Sequence, residues 1–281
     1  MDYFANKENN IKVFKSLCSI ISKDTDIKNN IERSIMESMI YSKEIGDFVA
    51  YTSKKINCIS FEDMEDRCDK TTVKFELTNT IDSAINNMIC TDYRNIALLN
   101  FASAKHPGGM VLKGSSAQEE CICRSTNLYH ILSDSTFYKP YYKYHKDKKD
   151  DFYSSTLIYT PNVFIILDGS YVLLNDPLTV DVITSPFPNL RNINYQIDED
   201  ILNKIYDDRI DNVFRAAIDN DVDCLILGAW GCGVFKNDPK LVAKSFKRII
   251  DKYDKKIVDI VFAIIDEETY NIFRKEFEAN G

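Results

Sequence analysis

The sequence is short of histidine, with three in 281 residues, and none of its eight cysteines falls in a C-x-x-C pair. Cys18, Cys58, Cys68, Cys90, Cys121, Cys123, Cys224 and Cys232 follow no repeated spacing. That pattern speaks against a zinc site and against a disulfide framework, and fits reduced thiols in the cytosol. Positive charge is also in deficit, with Lys+Arg 35 against Asp+Glu 43 and a formal net charge of −8. Wide sequence-independent binding to nucleic acid needs a basic surface that displaces counterions, so direct nucleic-acid binding is not indicated, although a local basic patch stays possible. No apolar run approaches the roughly 18 residues of a membrane span. Met1 to Asn10 is polar and acidic, unlike a secretion signal, and no repeat of solenoid length appears. The expectation is a cytoplasmic monomer with no membrane partner, no metal and no cofactor.

What is present is the composition of a globular chain with a sizeable core, 44% hydrophobic and 28% charged. From Ile11 to about Glu44 apolar residues recur at spacings of three and four, which predicts two helices joined by a polar link near Asp24 to Asn30. A polar connector, Ser60 to Lys70, leads to a half-buried strand at Thr72 to Leu77. Asn79 or Thr80 can then cap a helix carrying Ile81, Ala84, Ile85 and Met88. Asn95 to Phe101 reads as a buried strand, followed by a glycine loop and one helix from about Ala117 to Leu132. The tyrosine- and lysine-rich stretch Ser133 to Asp151 reads as a long solvated loop with a few docked rings. Its interleaved aromatic and basic residues could instead stack on a nucleotide or a single strand.

Thr156 to Tyr159, Val163 to Leu167 and Val180 to Thr184 read as three strands, separated by Pro161 and by Asn175-Asp176-Pro177. The rigid loop Ser185-Pro186-Phe187-Pro188-Asn189 follows. The last third alternates clearly: helix Glu199 to Asn220, strand Asp223 to Leu227, a second glycine loop, helix Pro239 to Tyr253, strand Val258 to Ile265 and helix Glu268 to Glu278. Nearly continuous apolar strands imply a sheet covered on both faces, so the fold class is α/β.

Chemistry concentrates in the two glycine loops. The first, His106-Pro107-Gly108-Gly109-Met110, opens toward Gln118-Glu119-Glu120. Gly109 and Gly114 have four residues between them, as in a P-loop, but Ser115-Ser116 stands where that motif needs Lys and then Ser or Thr. Glycine backbone ahead of a helix amino end can approach a diphosphate or ribose closely. Two acids in a first helical turn are also what helix electrostatics alone would favour. The second loop, Gly228 to Pro239, follows another buried strand, and by itself could be no more than a tight turn. The two together lie at the carboxyl edge of one sheet, where α/β folds place ligands.

Asn100-Phe101-Ala102-Ser103-Ala104, the Pro-Gly-Gly loop leading to Gln118-Glu119-Glu120, Thr184-Ser185-Pro186 and Gly228 to Pro239 resemble the microbial-type poly(ADP-ribose) glycohydrolases. Order and spacing match from about Thr72 to Asp266. The resemblance implies a macrodomain-like three-layer α/β/α fold, with a central mixed, largely parallel sheet. It also implies a division into an N-terminal helical accessory segment, 1–70, and a catalytic core, 71–281. Glu120 would be the catalytic acid, and Glu119 would help hold the ribose beside the scissile bond. Asn100, Gly108, Gly109, Met110 and Gln118 would line the site, and Gly231, Cys232, Gly233, Val234 and Phe235 would lie along the diphosphate and terminal ribose. Where the family has a third glycine after Pro-Gly-Gly this chain has Met110, which predicts a displaced loop or a narrower site.

The activity implied is hydrolysis of the ribose-ribose O-glycosidic bond of poly(ADP-ribose), releasing ADP-ribose, with ADP-ribosylated proteins as partners. An acid of ordinary pKa about 4.3 must be raised to serve, and burial of Glu120 near Glu119 is expected to raise it. Three alternatives stay open: hydrolysis of mono-ADP-ribose from protein or nucleic acid, a non-catalytic ADP-ribose reader, and an interaction protein whose loops are only structural.

Overall fold

A computed structural model describes residues 7–42, 53–55, 63–148 and 151–278. The amino-terminal stretch up to residue 6, Cys58, the first residues of the 60–70 connector and the Lys149-Asp150 pair lie outside the described residues. The elements in order are α1 (Lys7–Lys23), α2 (Thr25–Glu37), β1 (Met39–Ser42), β2 (Ser53–Lys55), β3 (Thr72–Glu76), α3 (Thr80–Cys90) and β4 (Ile96–Phe101). Then come α4 (Gln118–Ser125), α5 (Leu128–Leu132), α6 (Ser135–Phe137), α7 (Tyr144–Lys148), β5 (Leu157–Leu167) and β6 (Leu173–Ser185). The chain continues through α8 (Glu199–Asp219), β7 (Cys224–Leu227), α9 (Pro239–Lys252), β8 (Asp259–Ala263) and α10 (Glu267–Glu278).

The strands form one eight-stranded sheet in the order β2-β1-β5-β6-β4-β7-β8-β3. From β6 to β3 every neighbouring pair is parallel, and β5 runs antiparallel to both β1 and β6. Alternate residues of each strand face opposite ways. Ala97, Leu99, Leu225, Leu227, Ile260 and Phe262 bury against α8, α9 and α10. Leu98, Val182, Ile226 and Val261 bury against α3, α4 and α5 on the other face. The fold is therefore a three-layer α/β/α arrangement on a mixed, largely parallel sheet. No helix of the described residues is long and apolar enough to cross a membrane, and the described cysteines are all free thiols.

The structure departs from the sequence reading in five places. The link between the first two helices is the single residue Asp24, whose side chain caps α2 by accepting from Ile27 N at 3.0 Å. Met39, read as helical, begins a strand. The helix expected from 117 to 132 breaks at Thr126-Asn127, because Thr126 pairs with Ile165 and Asn127 Oδ1 accepts from Phe164 N at 3.0 Å. Bonds to a strand outweigh helix continuity there.

The tyrosine-rich stretch is not a solvated loop. It forms α6, a π-helical turn Tyr138–Lys143 and α7. Phe137, Tyr141, Tyr142 and His145 are fully buried in it, so the aromatic rings supply the apolar face that the lysines disguise in the sequence. Lastly, the three short strands are two long ones. Pro161 is accommodated at a register shift between Thr160 and Val163. Pro177 lies in the part of β6 that pairs only with β5, where a missing N–H breaks no ladder on the open side.

Candidate active site

β4 and β7 are adjacent and parallel, so both glycine loops leave the same sheet edge. The Phe101 ring at the end of β4 reaches the second loop, 3.0 Å from where a Cβ on Gly228 would stand. Gln118 sets α4 against β4. Its Oε1 accepts from Phe101 N at 2.9 Å, and its Nε2 donates to Leu99 O at 2.8 Å and to Thr80 Oγ1 at 3.2 Å. Both ends of that amide are thus committed to the protein, and the two glutamates that follow are aimed by it.

Glu119 is 3% exposed and Glu120 6%, so each carboxyl depends on the few donors around it. Glu119 Oε2 accepts from Ser103 N at 2.7 Å, and its Oε1 lies 3.5 Å from Asn100 Nδ2. Asn100 also donates to Thr184 Oγ1 at 3.3 Å. Glu120 Oε1 accepts from Met110 N at 2.8 Å, whereas its Oε2, though buried, has no hydrogen-bond partner. The first turn of α4 therefore reaches back and closes the glycine loop onto itself.

Burial pushes the Glu119 carboxyl well above the ordinary range. The charge of Glu120 pushes the same way, and the Ser103, Asn100 and Gly108 donors oppose both. The Glu119 side chain points inward beneath β4. Tyr141 and Tyr142 stand behind it, their hydroxyls held in the protonated form by burial and then by the charge of Glu119.

This shift predicts a pH-dependent stability. Above about pH 4.3 the unfolded chain releases a proton from Glu119 that the native protein retains, so native stability falls as pH rises toward and through the folded pKa. Glu119→Gln removes that loss. The melting temperature of the variant relative to the wild type is expected to climb as pH rises above the ordinary carboxylate pKa of about 4.3. A difference that stays flat with pH would show that Glu119 is not the group responsible.

The loop conformation explains its glycines. Gly109 has φ +58°, and a Cβ there would lie 2.4 Å from Glu120 Oε1 and 2.9 Å from Glu119 Oε2, so both carboxyls converge on the space a side chain would fill. At Gly108, φ +61°, a Cβ would meet the Tyr129 ring at 2.7 Å. Met110 takes φ −112° and ψ 31°. That conformation is open to any L-residue, so the departure from a third glycine leaves the backbone unstrained and its N–H still on Glu120. The far end of the loop is held by α1, where Asn10 Nδ2 donates to Gly114 O at 2.9 Å.

In the second loop Gly231 has φ +78°, and a Cβ would collide with Phe187 at 2.4 Å. Phe187 packs between Trp230 at 4.5 Å and Tyr206 at 4.8 Å, centroid to centroid. Asn237, which sequence reasoning missed, is the anchor. It accepts from Tyr206 OH at 2.7 Å and donates to Pro188 O at 2.8 Å and Gly231 O at 3.0 Å. Burial pushes the Cys232 thiol far up, and it turns to the backbone at Trp230 O. Gly233 and Val234 are exposed, and Phe235 is half-buried beside Tyr153. Ser103, Thr184 and Asn237 act through backbone or framework contacts, and only the strand-end position of the first two was a signal in the sequence.

A buried acid pair closing a glycine loop at the carboxyl edge of a three-layer α/β/α sheet fits a glycoside hydrolase of macrodomain-like fold. Residues 8–168 match the family described as microbial-type PARG, catalytic domain, PARG being poly(ADP-ribose) glycohydrolase. The chain belongs to that family. A solved poly(ADP-ribose) glycohydrolase from Thermomonospora curvata superposes with a TM-score of 0.84 at 28% identity, covering 96% of this chain and 99% of that one. The same enzyme bound to the inhibitor ADP-HPD gives 0.81 at 27% identity, with the same 96% and 99% coverage. The Deinococcus radiodurans enzyme in complex with ADP-ribose gives 0.72 at 30% identity, covering 89% of this chain and 97% of that one. No curated protein sequence matches this chain.

Proposed function

We propose that this poly(ADP-ribose) glycohydrolase removes ADP-ribose units through Glu120, with Glu119 as its positioning and proton-holding partner. The observation that carries the assignment is the asymmetry of Glu120: one oxygen is fixed by Met110 N–H and the other has no protein partner. A carboxyl so held can give a proton to a leaving oxygen and afterwards activate water, with its orientation fixed throughout. Glu119, tied to Ser103 and Asn100, is the neighbour that orients the ribose, and burial favours its protonated form. Gly108 and Gly109 present bare backbone to the ribose and diphosphate, with Asn100 and Gln118 holding the floor. Gly231, Cys232, Gly233, Val234 and Phe235 form the opposite jaw, and Met110 stands at the rim, 38% exposed.

The substrate is poly(ADP-ribose), consistent with the ADP-ribose and inhibitor complexes of the related enzymes. The helices before residue 70 serve as an accessory segment packed on the core 71–281, with α1 bracing the loop at Gly114. Incubation of the protein with poly(ADP-ribose), following free ADP-ribose, tests the reading. Release is expected from polymer. Release only from singly modified protein would replace this reading with a mono-ADP-ribosyl hydrolase, and tight ADP-ribose binding without product would replace it with a reader.

A further inference from the structure

The chain carries a formal net charge of −8, yet the loop that holds Glu120 is flanked on both sides by basic residues. Gly109 N donates to His106 O at 3.0 Å and Lys113 N donates to Met110 O at 2.9 Å. Lys105-His106 and Lys113 therefore sit directly on either side of the residue fixing Glu120. Lys105 Nζ lies 5.5 Å from the centre of the Tyr153 ring. That ring is 6.0 Å from His145, and the next residue, Lys146, lies 5.4 Å over Tyr138. The folding of the tyrosine-rich stretch thus brings Lys146 to the same rim. His106 reports the shared field: partial burial, then Lys146, Lys105 and Lys113, hold its pKa below the ordinary value.

None of these three lysines is spent on an ion pair among the described residues, whereas the nearby Lys143 is paired with Asp147. Lys113 and Lys146 are exposed, and Tyr138 is 48% exposed. Unpaired cations around a mouth raise the local concentration of anions even when the protein as a whole is acidic. An aromatic face beside them is a platform for a base.

We propose that Lys105, Lys113 and Lys146, with Tyr138, form a binding surface for the departing side of the polymer: the lysines take the diphosphate of the ADP-ribose unit left behind, and Tyr138 stacks its adenine. This rests on the reading that the site cleaves poly(ADP-ribose). The leaving oxygen belongs to a nucleoside unit that carries a base and two phosphates. Once Glu120 is set at the bond, that unit must lie across the rim of the loop that positions Glu120. A small leaving alcohol would not reach the lysines.

The test compares kcat/KM on poly(ADP-ribose) with kcat/KM on ADP-ribose bearing a neutral aryl group at its anomeric oxygen. The wild type is set beside the combined Lys105→Ala, Lys113→Ala, Lys146→Ala variant and the corresponding Lys→Arg variant. The polymer-to-aryl ratio is expected to fall about tenfold or more in the alanine variant at low salt and to recover in the arginine variant. The wild-type advantage on polymer should shrink as salt shortens the screening length to about 8 Å near physiological ionic strength. An unchanged ratio, or equal losses on both substrates, overturns the surface while leaving the catalytic reading intact. A wild type that releases nothing from polymer overturns the catalytic reading and this inference with it.

Discussion

Glu120→Gln is expected to lower turnover of poly(ADP-ribose) by roughly 10²–10⁴-fold, the range a positioned general acid/base supplies, while ADP-ribose still binds. The substitution keeps the side-chain shape and removes only the proton that can be given and taken. Its amide oxygen can still accept from Met110 N, the bond that closes the glycine loop, so the loop should remain formed. Calorimetry with ADP-ribose and a timed polymer digest separate the two effects. Hydrolysis at the wild-type rate in this variant would remove Glu120 from the mechanism.

The second large effect is expected at a residue with no functional group. Gly109→Ala places a Cβ 2.4 Å from Glu120 Oε1 and 2.9 Å from Glu119 Oε2, closer than carbon and oxygen tolerate, so both carboxyls or the loop must move. A left-handed φ of +58° adds about 1–2 kcal/mol of backbone cost for a residue with a Cβ. Misplacing a catalytic group by about 1 Å can lower the rate about 10²-fold, and a fall in kcat of that order is expected together with a modest loss of thermal stability. A variant that melts lower but turns over normally would show that the carboxyl geometry tolerates the loop's displacement.

These two effects differ in how readable they were. Glu120 is nominated in the sequence by the resemblance of the Pro-Gly-Gly loop and Gln118-Glu119-Glu120 to the glycohydrolase family, because helix electrostatics alone would explain two acids in a first helical turn. The need for glycine at 109 could be nominated only as backbone freedom. That the missing side chain makes room for both carboxyls is a distance between residues 109, 119 and 120 that no spacing rule contains. The same holds for the proton. A sequence shows that two acids are adjacent, but the burial that raises the Glu119 carboxyl depends on how α4 docks against β4.

Errors in the reading have a common cause. The tyrosine- and lysine-rich Ser133 to Asp151 stretch reads as a solvated loop with a few docked rings, whereas the fold makes it helical and buries Phe137, Tyr141, Tyr142 and His145. Pro161 and Pro177 were read as strand breakers, and each sits where the sheet asks nothing of its missing N–H. Thr126 and Asn127 end a helix by bonding to a strand about forty residues away.

The sequence by itself determined the α/β class, the alternation of the last third and the two glycine loops, and its resemblance to the glycohydrolase family nominated the acids. These rest on periodicities and on residue chemistry within a few positions, which act before the chain is packed. Tertiary structure alone decided that the Glu119 carboxyl is raised by burial, why Gly109 cannot carry a side chain, how Asn237 and Asn10 pin the two loops, and the gathering of Lys146 with Lys105 and Lys113 at one rim. Each of these depends on desolvation or on contact between residues far apart in the chain, and such distances exist only once the layers have closed around the sheet.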